Sequence, residues 1–126
     1  AINIEAKTMI DIATKQIIPA VIKYTTVLAD SINSIRAVGA LDVSVQMELL
    51  EKTTELLKET NVAMTTLKKL VQEVNSVPEG HDRARFFRDR VVQAMEDLRR
   101  PVDELEMIVD KEMWPMPSYG DLIFEV

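Results

Sequence analysis

Apolar residues recur every three or four positions along most of the chain, which is the spacing of one face of an α-helix. The pattern predicts a first helix from about Ile4 to Val38, with Gly39 as a left-handed cap. Pro19 lies inside it and cannot donate to the carbonyl of Lys15, so we expect a kink there rather than an end. The stripe consists of Ile10, Ala13, Ile17, Val21, Tyr24, Leu28, Ile32 and Ile35, with a second stripe of Met9, Ile12, Ile18 and Ile22 beside it.

The middle of the chain repeats its apolar residues every seven positions. This heptad predicts a second helix that is capped by Asp42 or Ser44 and runs to about Asn75. The apolar pairs are Leu49-Leu50, Leu56-Leu57, Ala63-Met64 and Leu70-Val71, and the adjoining seam holds Gln46, Thr53, Thr60, Leu67 and Val74. The first half of that seam is polar. It is either a device that specifies helix pairing or a face toward solvent, and the sequence leaves both open.

A third helical pattern follows a short break at residues 76–80. It begins near His81 or Asp82 and runs to about Asp110, with Pro101 as a second kink site because it cannot donate to the carbonyl of Asp97. The stripe consists of Ala84, Phe87, Val91, Met95, Leu98, Val102, Leu105 and Val109.

Short links between three long helices predict an all-α domain, an antiparallel up-down-up bundle over residues 1–126. The two proline kinks would divide the three helices into four or more segments. Only three Gly and five Pro occur, which leaves little room for the turns of an all-β fold. Because the first pattern begins with neither Met nor a cap, we expect the sequence to be a piece of a longer chain.

The composition changes abruptly at residues 112–126, which we term the docking tail. It holds the chain's only Trp, with Tyr119, Phe124 and the closely spaced Pro115 and Pro117, which a helix cannot accommodate. A terminus this aromatic is expected to be held against protein. The predicted contact residues are Trp114, Pro115, Pro117, Tyr119, Asp121, Leu122 and Phe124. They would either seal the end of the bundle or bind a partner.

Charge and cysteine content exclude several classes of function. The net charge of −6 argues against general nucleic-acid binding, and the absence of Cys excludes disulfides and thiolate metal sites. No apolar run is long enough to span a membrane. These features predict a cytoplasmic protein that contacts neither nucleic acid nor membrane.

The sequence offers no credible active site. His81 is the only histidine, so paired Glu-x-x-His metal motifs are impossible. Carboxylates near the end of the third helix are expected to form a solvated face. The densest basic run, Arg83, Arg85, Arg88 and Arg90, is either a solvated face or an interface for a carboxylate or phosphate. We therefore predict no catalytic, cofactor-binding or metal-binding residue.

Several stretches together resemble the C-terminal part of type III glutamine synthetases. They are Ile4–Asp11 with Ile18-Pro19-Ala20, Phe87-Arg88-Asp89-x-Val91, Met95-x-x-Leu98-Arg99-x-x-x-Asp103-x-Leu105-Glu106 with Val109-Asp110, and Trp114-Pro115-x-Pro117-x-Tyr119-x-Asp121-Leu122-x-Phe124. The tail motif is fairly specific, whereas residues 41–76 carry only a generic helical pattern. The family often has Leu where this tail has Ile123, a conservative change.

The resemblance implies a parent ligase of nitrogen metabolism that forms glutamine from glutamate and ammonia with ATP and Mg or Mn. It also implies a ring-shaped homo-oligomer, with the catalytic residues upstream of this chain. On this reading the chain is a non-catalytic structural domain whose partners are the upstream catalytic domain and neighbouring subunits. The alternative is a free-standing helical adaptor that binds an acidic or phosphorylated partner through its Arg-rich face.

Overall fold

The computed structural model describes residues 2–76 and 80–117, with the side chains of all of these except residues 2 and 81–83. Every regular element within these ranges is helical, and none is a strand, so the all-α prediction is confirmed. The elements are α1 (Ile2–Ile12), a π-helical segment (Ala13–Ile17), α2 (Ile18–Val38), α3 (Ser44–Ser76) and α4 (His81–Ile108). The first three are continuous and form one of three long helices.

The π-helical segment is a feature that the sequence pattern did not predict. The Ile18 amide donates to the carbonyl of Ala13, five residues back, whereas an α-helix would use the carbonyl four residues back. Pro19 follows in the first turn of α2. A proline ring clashes with the carbonyl four residues before it, and a wider preceding turn relieves that clash. Helix kinking at Pro19 and at Pro101, which lies inside α4, stays a prediction.

The link between α2 and α3 confirms one capping prediction and corrects another. Gly39 has φ 169° and ψ −173°, so it is extended, and the predicted left-handed cap is wrong. The chain leaves α2 in a conformation that any residue adopts. At the start of α3 the amide of Ser44 donates to Asp42 Oδ1 at 2.9 Å, as predicted for Asp42. That backbone hydrogen bond, followed by one from the Ser44 hydroxyl, lowers the pKa of Asp42.

The core consists of two clusters, and each takes residues from all three long helices. The first, the alanine cluster, contains Ala6, Ala13, Leu67, Leu70, Val71, Val91, Ala94, Met95 and Leu98. The second, the Trp cluster, contains Ile17, Val21, Tyr24, Leu28, Leu56, Leu105, Val109 and Trp114. Three alanines in the first cluster leave room for close approach of the helix backbones, while larger side chains fill the second.

The polar seam of α3 faces the interior. Thr53 and Thr60 have no exposed surface, and Gln46 is half-buried, so a solvent-facing seam is wrong for both threonines. The Thr60 hydroxyl donates to the carbonyl of Leu56 at 2.8 Å. The Thr53 hydroxyl has no hydrogen-bond partner among the described residues. An unpaired buried hydroxyl destabilises the fold.

Candidate interface surfaces

The chain turns back onto the helices immediately after α4. Val109 is extended, with φ −67° and ψ 140°. The amides of Met113 and Trp114 donate to the carbonyl of Asp110 at 2.9 and 3.0 Å, and the Glu112 amide donates to Asp110 Oδ1 at 2.9 Å. An Asp side chain that accepts an amide two residues ahead is a common way to end a helix in a turn. This turn brings Trp114 to the side of the bundle.

Trp114 is buried within its own chain. It is 8% exposed and packs in the Trp cluster with residues of α2, α3 and α4. Its indole N–H has no hydrogen-bond partner among the described residues. A tryptophan that is buried usually pairs this donor, so the packing of the ring offsets a real polar cost. The first part of the docking tail therefore completes the core of the bundle.

Tyr24 lies in the same cluster, and the charge of Asp110 in this turn affects the pKa of its phenol. Its side chain is 8% exposed. Burial, and secondly the negative charge of Asp110, raise the pKa of the Tyr24 phenol above 10.0. Both causes disfavour the phenolate, which makes Tyr24 a titratable reporter of the folded state.

Replacing Tyr24 with Phe is expected to reduce the loss of stability at alkaline pH. The folded pKa is raised, so the unfolded chain loses its proton first and the folded state is penalised as the pH rises above about 10. Phe keeps the ring and removes the titration. Urea unfolding at pH 8 to 11 would measure the difference. Equal alkaline curves for wild type and Tyr24→Phe would contradict this assignment.

An apolar cleft of about 320 Å³ runs beside Trp114, between the first long helix and α4. We term it the Trp cleft. Its apolar wall includes Met9, Ile12, Ala13, Leu98, Trp114 and Met116. The π-helical segment and the Trp114 turn both contribute to this wall, so the cleft depends on two irregular parts of the fold.

The rim of the Trp cleft is acidic. Asp103 and Glu106 line it, and neither takes part in an ion pair within the described part of the chain. Arg99 also lines the cleft, but its guanidinium is 3.0 Å from the carboxylate of Glu96. The Glu96 carboxylate thus offsets part of the positive charge at the rim, whereas neither rim carboxylate has a cationic partner among the described residues.

An exposed basic and aromatic surface lies at the other end of α4. Arg85, Arg88 and Arg90 are exposed, and Phe86 is 55% exposed. We term these four residues the arginine patch. The Arg90 guanidinium lies 5.4 Å from the centre of the Phe86 ring, within the range of a cation–π contact. The Phe87 ring meets Phe86 edge to face, with centroids 5.6 Å apart.

Comparison with known proteins shows which proteins the chain is similar to. The family described as "Glutamine synthetase C-terminal domain" matches residues 1–36. A "Type-3 glutamine synthetase" of Dictyostelium discoideum is 30% identical over 98% of this chain, and a "Glutamine synthetase" of Bacteroides fragilis is 26% identical over 98%. The chain is related to the type III glutamine synthetases. A "Glutamine synthetase" of Butyrivibrio fibrisolvens is 23% identical over the whole chain.

The chain spans 18% of the length of each of these glutamine synthetases. No solved structure gives a significant match. The resemblance read from the sequence motifs is confirmed at the level of the family. The family match itself covers α1, the π-helical segment and most of α2.

In this glutamine synthetase relative, the structure describes only some of the contact residues that were predicted in the docking tail and in the arginine run. Trp114 is buried, Pro115 is half-buried and Pro117 is exposed at the edge of the Trp cleft. Tyr119, Asp121, Leu122 and Phe124, and the side chains of His81 and Arg83, lie outside the described residues. Interface roles for the tail and for the arginines stay predictions.

The Trp cleft itself was missed by reasoning from the sequence. Met9 and Ile12 were recognised as a second apolar stripe, and Asp103 and Glu106 as part of an acidic face. Their meeting around Trp114 depends on how α1 packs against α4 and on the turn at Asp110. The sequence feature that could have indicated the cleft is the second apolar stripe of the first helix, because it makes the apolar face of that helix wider than a three-helix core requires.

The described part of this glutamine synthetase relative contains no group of three or more His, Asp or Glu side chains placed to hold a metal ion. None of its described helices has the length and hydropathy of a membrane span. What its surfaces offer is an apolar cleft with an acidic rim and a basic aromatic patch, both suited to protein contacts.

Proposed function

We propose that the chain is a non-catalytic C-terminal accessory domain of a type III glutamine synthetase and that its role is structural. The observation that carries this proposal is the match of nearly the whole chain to 18% of each relative's length. The rest of such a protein would form glutamine from glutamate and ammonia with ATP and Mg or Mn. Its catalytic domain and neighbouring subunits in a cytoplasmic ring would be this domain's partners.

We propose the antiparallel up-down-up order for the three long helices. The composition of the two clusters supports it. Ala6, near the start of α1, shares a cluster with Leu70, near the end of α3, and with Val91 in the first half of α4. Leu28 in α2 shares the other cluster with Leu56 of α3 and Leu105 near the end of α4. Opposite chain directions in successive helices account for both pairings.

A truncation series in the full-length parent protein would test the structural role. Deletion of 114–126 removes Trp114 from the Trp cluster, so we expect loss of thermal stability and of assembled mass by light scattering. Glutamine formation should decline in step with assembly. The 126-residue chain alone should form no glutamine.

Deletion of 118–126 is the matched control because it retains the Asp110 turn and Trp114. A smaller effect of this deletion than of the longer one would assign the role to the turn. Unchanged assembly and activity after deletion of 114–126 would remove the structural role. Glutamine formation by the isolated chain would remove the claim that it is non-catalytic.

A further inference from the structure

Two exposed surfaces of opposite character lie along α4. The Trp cleft has an apolar wall and two rim carboxylates, Asp103 and Glu106, outside any ion pair in the described part of the chain. The arginine patch offers three cations around the exposed ring of Phe86, and none of them forms an ion pair within the described residues. The two rim carboxylates can pair with the arginines of the patch, while Arg99 at the cleft is paired with Glu96 and Asp89 adds one acidic side chain beside Arg88.

We propose that the arginine patch of one copy binds the Trp cleft of a second copy. The Phe86 ring, which is 55% exposed, enters the apolar cleft, where its remaining exposed surface is removed from water. Arg85 and Arg88 then face Asp103 and Glu106 of the second copy. Arginine suits this role because its planar guanidinium binds carboxylates through two parallel hydrogen bonds.

The contact cannot form within a single chain. Phe86 and Asp103 are seventeen positions apart on one helix, which places them about 26 Å apart at 1.5 Å per residue. A described helix is continuous between them, so the patch cannot fold back onto its own cleft. The contact is therefore between two different surfaces on two molecules, and repetition gives either a closed ring or an open chain.

Charge favours the arginine patch of a second copy over residues 118–126 of the same chain as the group that binds the Trp cleft. Residues 118–126 follow Pro117, which lies at the cleft, but they contain Asp121 and Glu125 and no basic residue. Like charges would meet at a rim formed by Asp103 and Glu106. The arginine patch brings the opposite charge and an aromatic ring together.

This inference deepens the proposed structural role by naming a surface for contact between subunits, and it rests on that role only for its biological use. The test is made on the isolated chain, so the two can fail separately. The self-association constant would be measured by sedimentation equilibrium from about 1 μM to about 1 mM. We expect association that weakens as salt is added.

The variants Arg88→Asp and Asp103→Arg each place like charges at the contact. Each is expected to weaken association at least tenfold, and the double variant to recover most of the loss, since it restores opposite charges with their positions exchanged (roughly 1.4 kcal/mol per tenfold). Phe86→Ala should weaken association without changing salt dependence. Lys23→Asp and Glu51→Arg are matched controls that change the net charge equally at exposed positions elsewhere.

A chain truncated after Pro117 tests whether residues 118–126, rather than a second copy, occupy the Trp cleft. Association unchanged by this truncation supports the proposal, whereas stronger association would overturn it by assigning the cleft to residues 118–126. A monomer at all concentrations, equal effects of the matched controls, or a double variant as weak as the single variants would also overturn it. Far-UV circular dichroism and thermal unfolding of each variant would show that it folds, since both reversed positions are exposed.

Discussion

Replacing Trp114 with Ala is expected to lower the free energy of unfolding by about 3–5 kcal/mol. The ring is 8% exposed and contacts a cluster built from α2, α3 and α4, so truncation leaves a cavity shared by three helices. A domain of this size is stable by roughly 5–15 kcal/mol, so the substitution should remove a large part of that free energy. Urea unfolding monitored by circular dichroism would measure the change.

Trp114→Phe separates the two properties of this side chain. Phe keeps much of the apolar ring and has no N–H to leave unpaired, so its loss should be clearly smaller than that of Ala. Phe86→Ala, at a ring that is 55% exposed, is the matched control and should cost little in a dilute monomer. Equal losses for Trp114→Ala and Phe86→Ala would show that the turn at Asp110 does not hold the tryptophan in solution.

Replacing Thr53 with Val is expected to raise the free energy of unfolding by about 1–2 kcal/mol. Val has nearly the same shape as Thr, and the hydroxyl that it replaces is fully buried and unpaired within the described residues. The change exchanges an unpaired polar group for a methyl group without opening a cavity. Thermal and urea unfolding would both report the gain.

Two neighbouring threonines provide controls for this substitution. Thr60 is as buried as Thr53, but its hydroxyl donates to the carbonyl of Leu56, so Thr60→Val should gain less or lose slightly. Thr54 is exposed and bonds the carbonyls of Leu50 and Glu51, so Thr54→Val should be nearly neutral. Destabilisation by Thr53→Val would indicate that its hydroxyl has a partner in solution, such as a buried water.

The long helices were predictable because period and capping chemistry are local. Asp42 and Ser44 before a heptad pattern were enough to place the start of α3 approximately, and the Ser44 amide donates to the Asp42 carboxylate. The conformation of Gly39 was not predictable in this way, since an extended and a left-handed exit from α2 are both open to glycine. The heptad of α3 also has adjoining seams, and only packing against the other helices shows that Thr53 and Thr60 face inward.

The candidate surfaces were predictable in part. The arginines of α4 and the unusual Trp114 follow directly from composition. The Trp cleft does not, because it needs the register of α1 against α4 and the backbone turn at Asp110. The helix residues that meet across this cleft are more than eighty positions apart, and such contacts leave no periodic signal in one sequence.

The π-helical segment gives the first long helix a place where its length can change. Buried positions follow one another at intervals of four at Ala13, Ile17 and Val21, a spacing that would drift off the core face in a regular α-helix. The wider turn absorbs that drift. Loss of one residue there would restore the α-helical path and leave Ala6 and Leu28 on the same side. The same loss in the middle of α2 would rotate everything before it by about 100° and expose the alanine cluster.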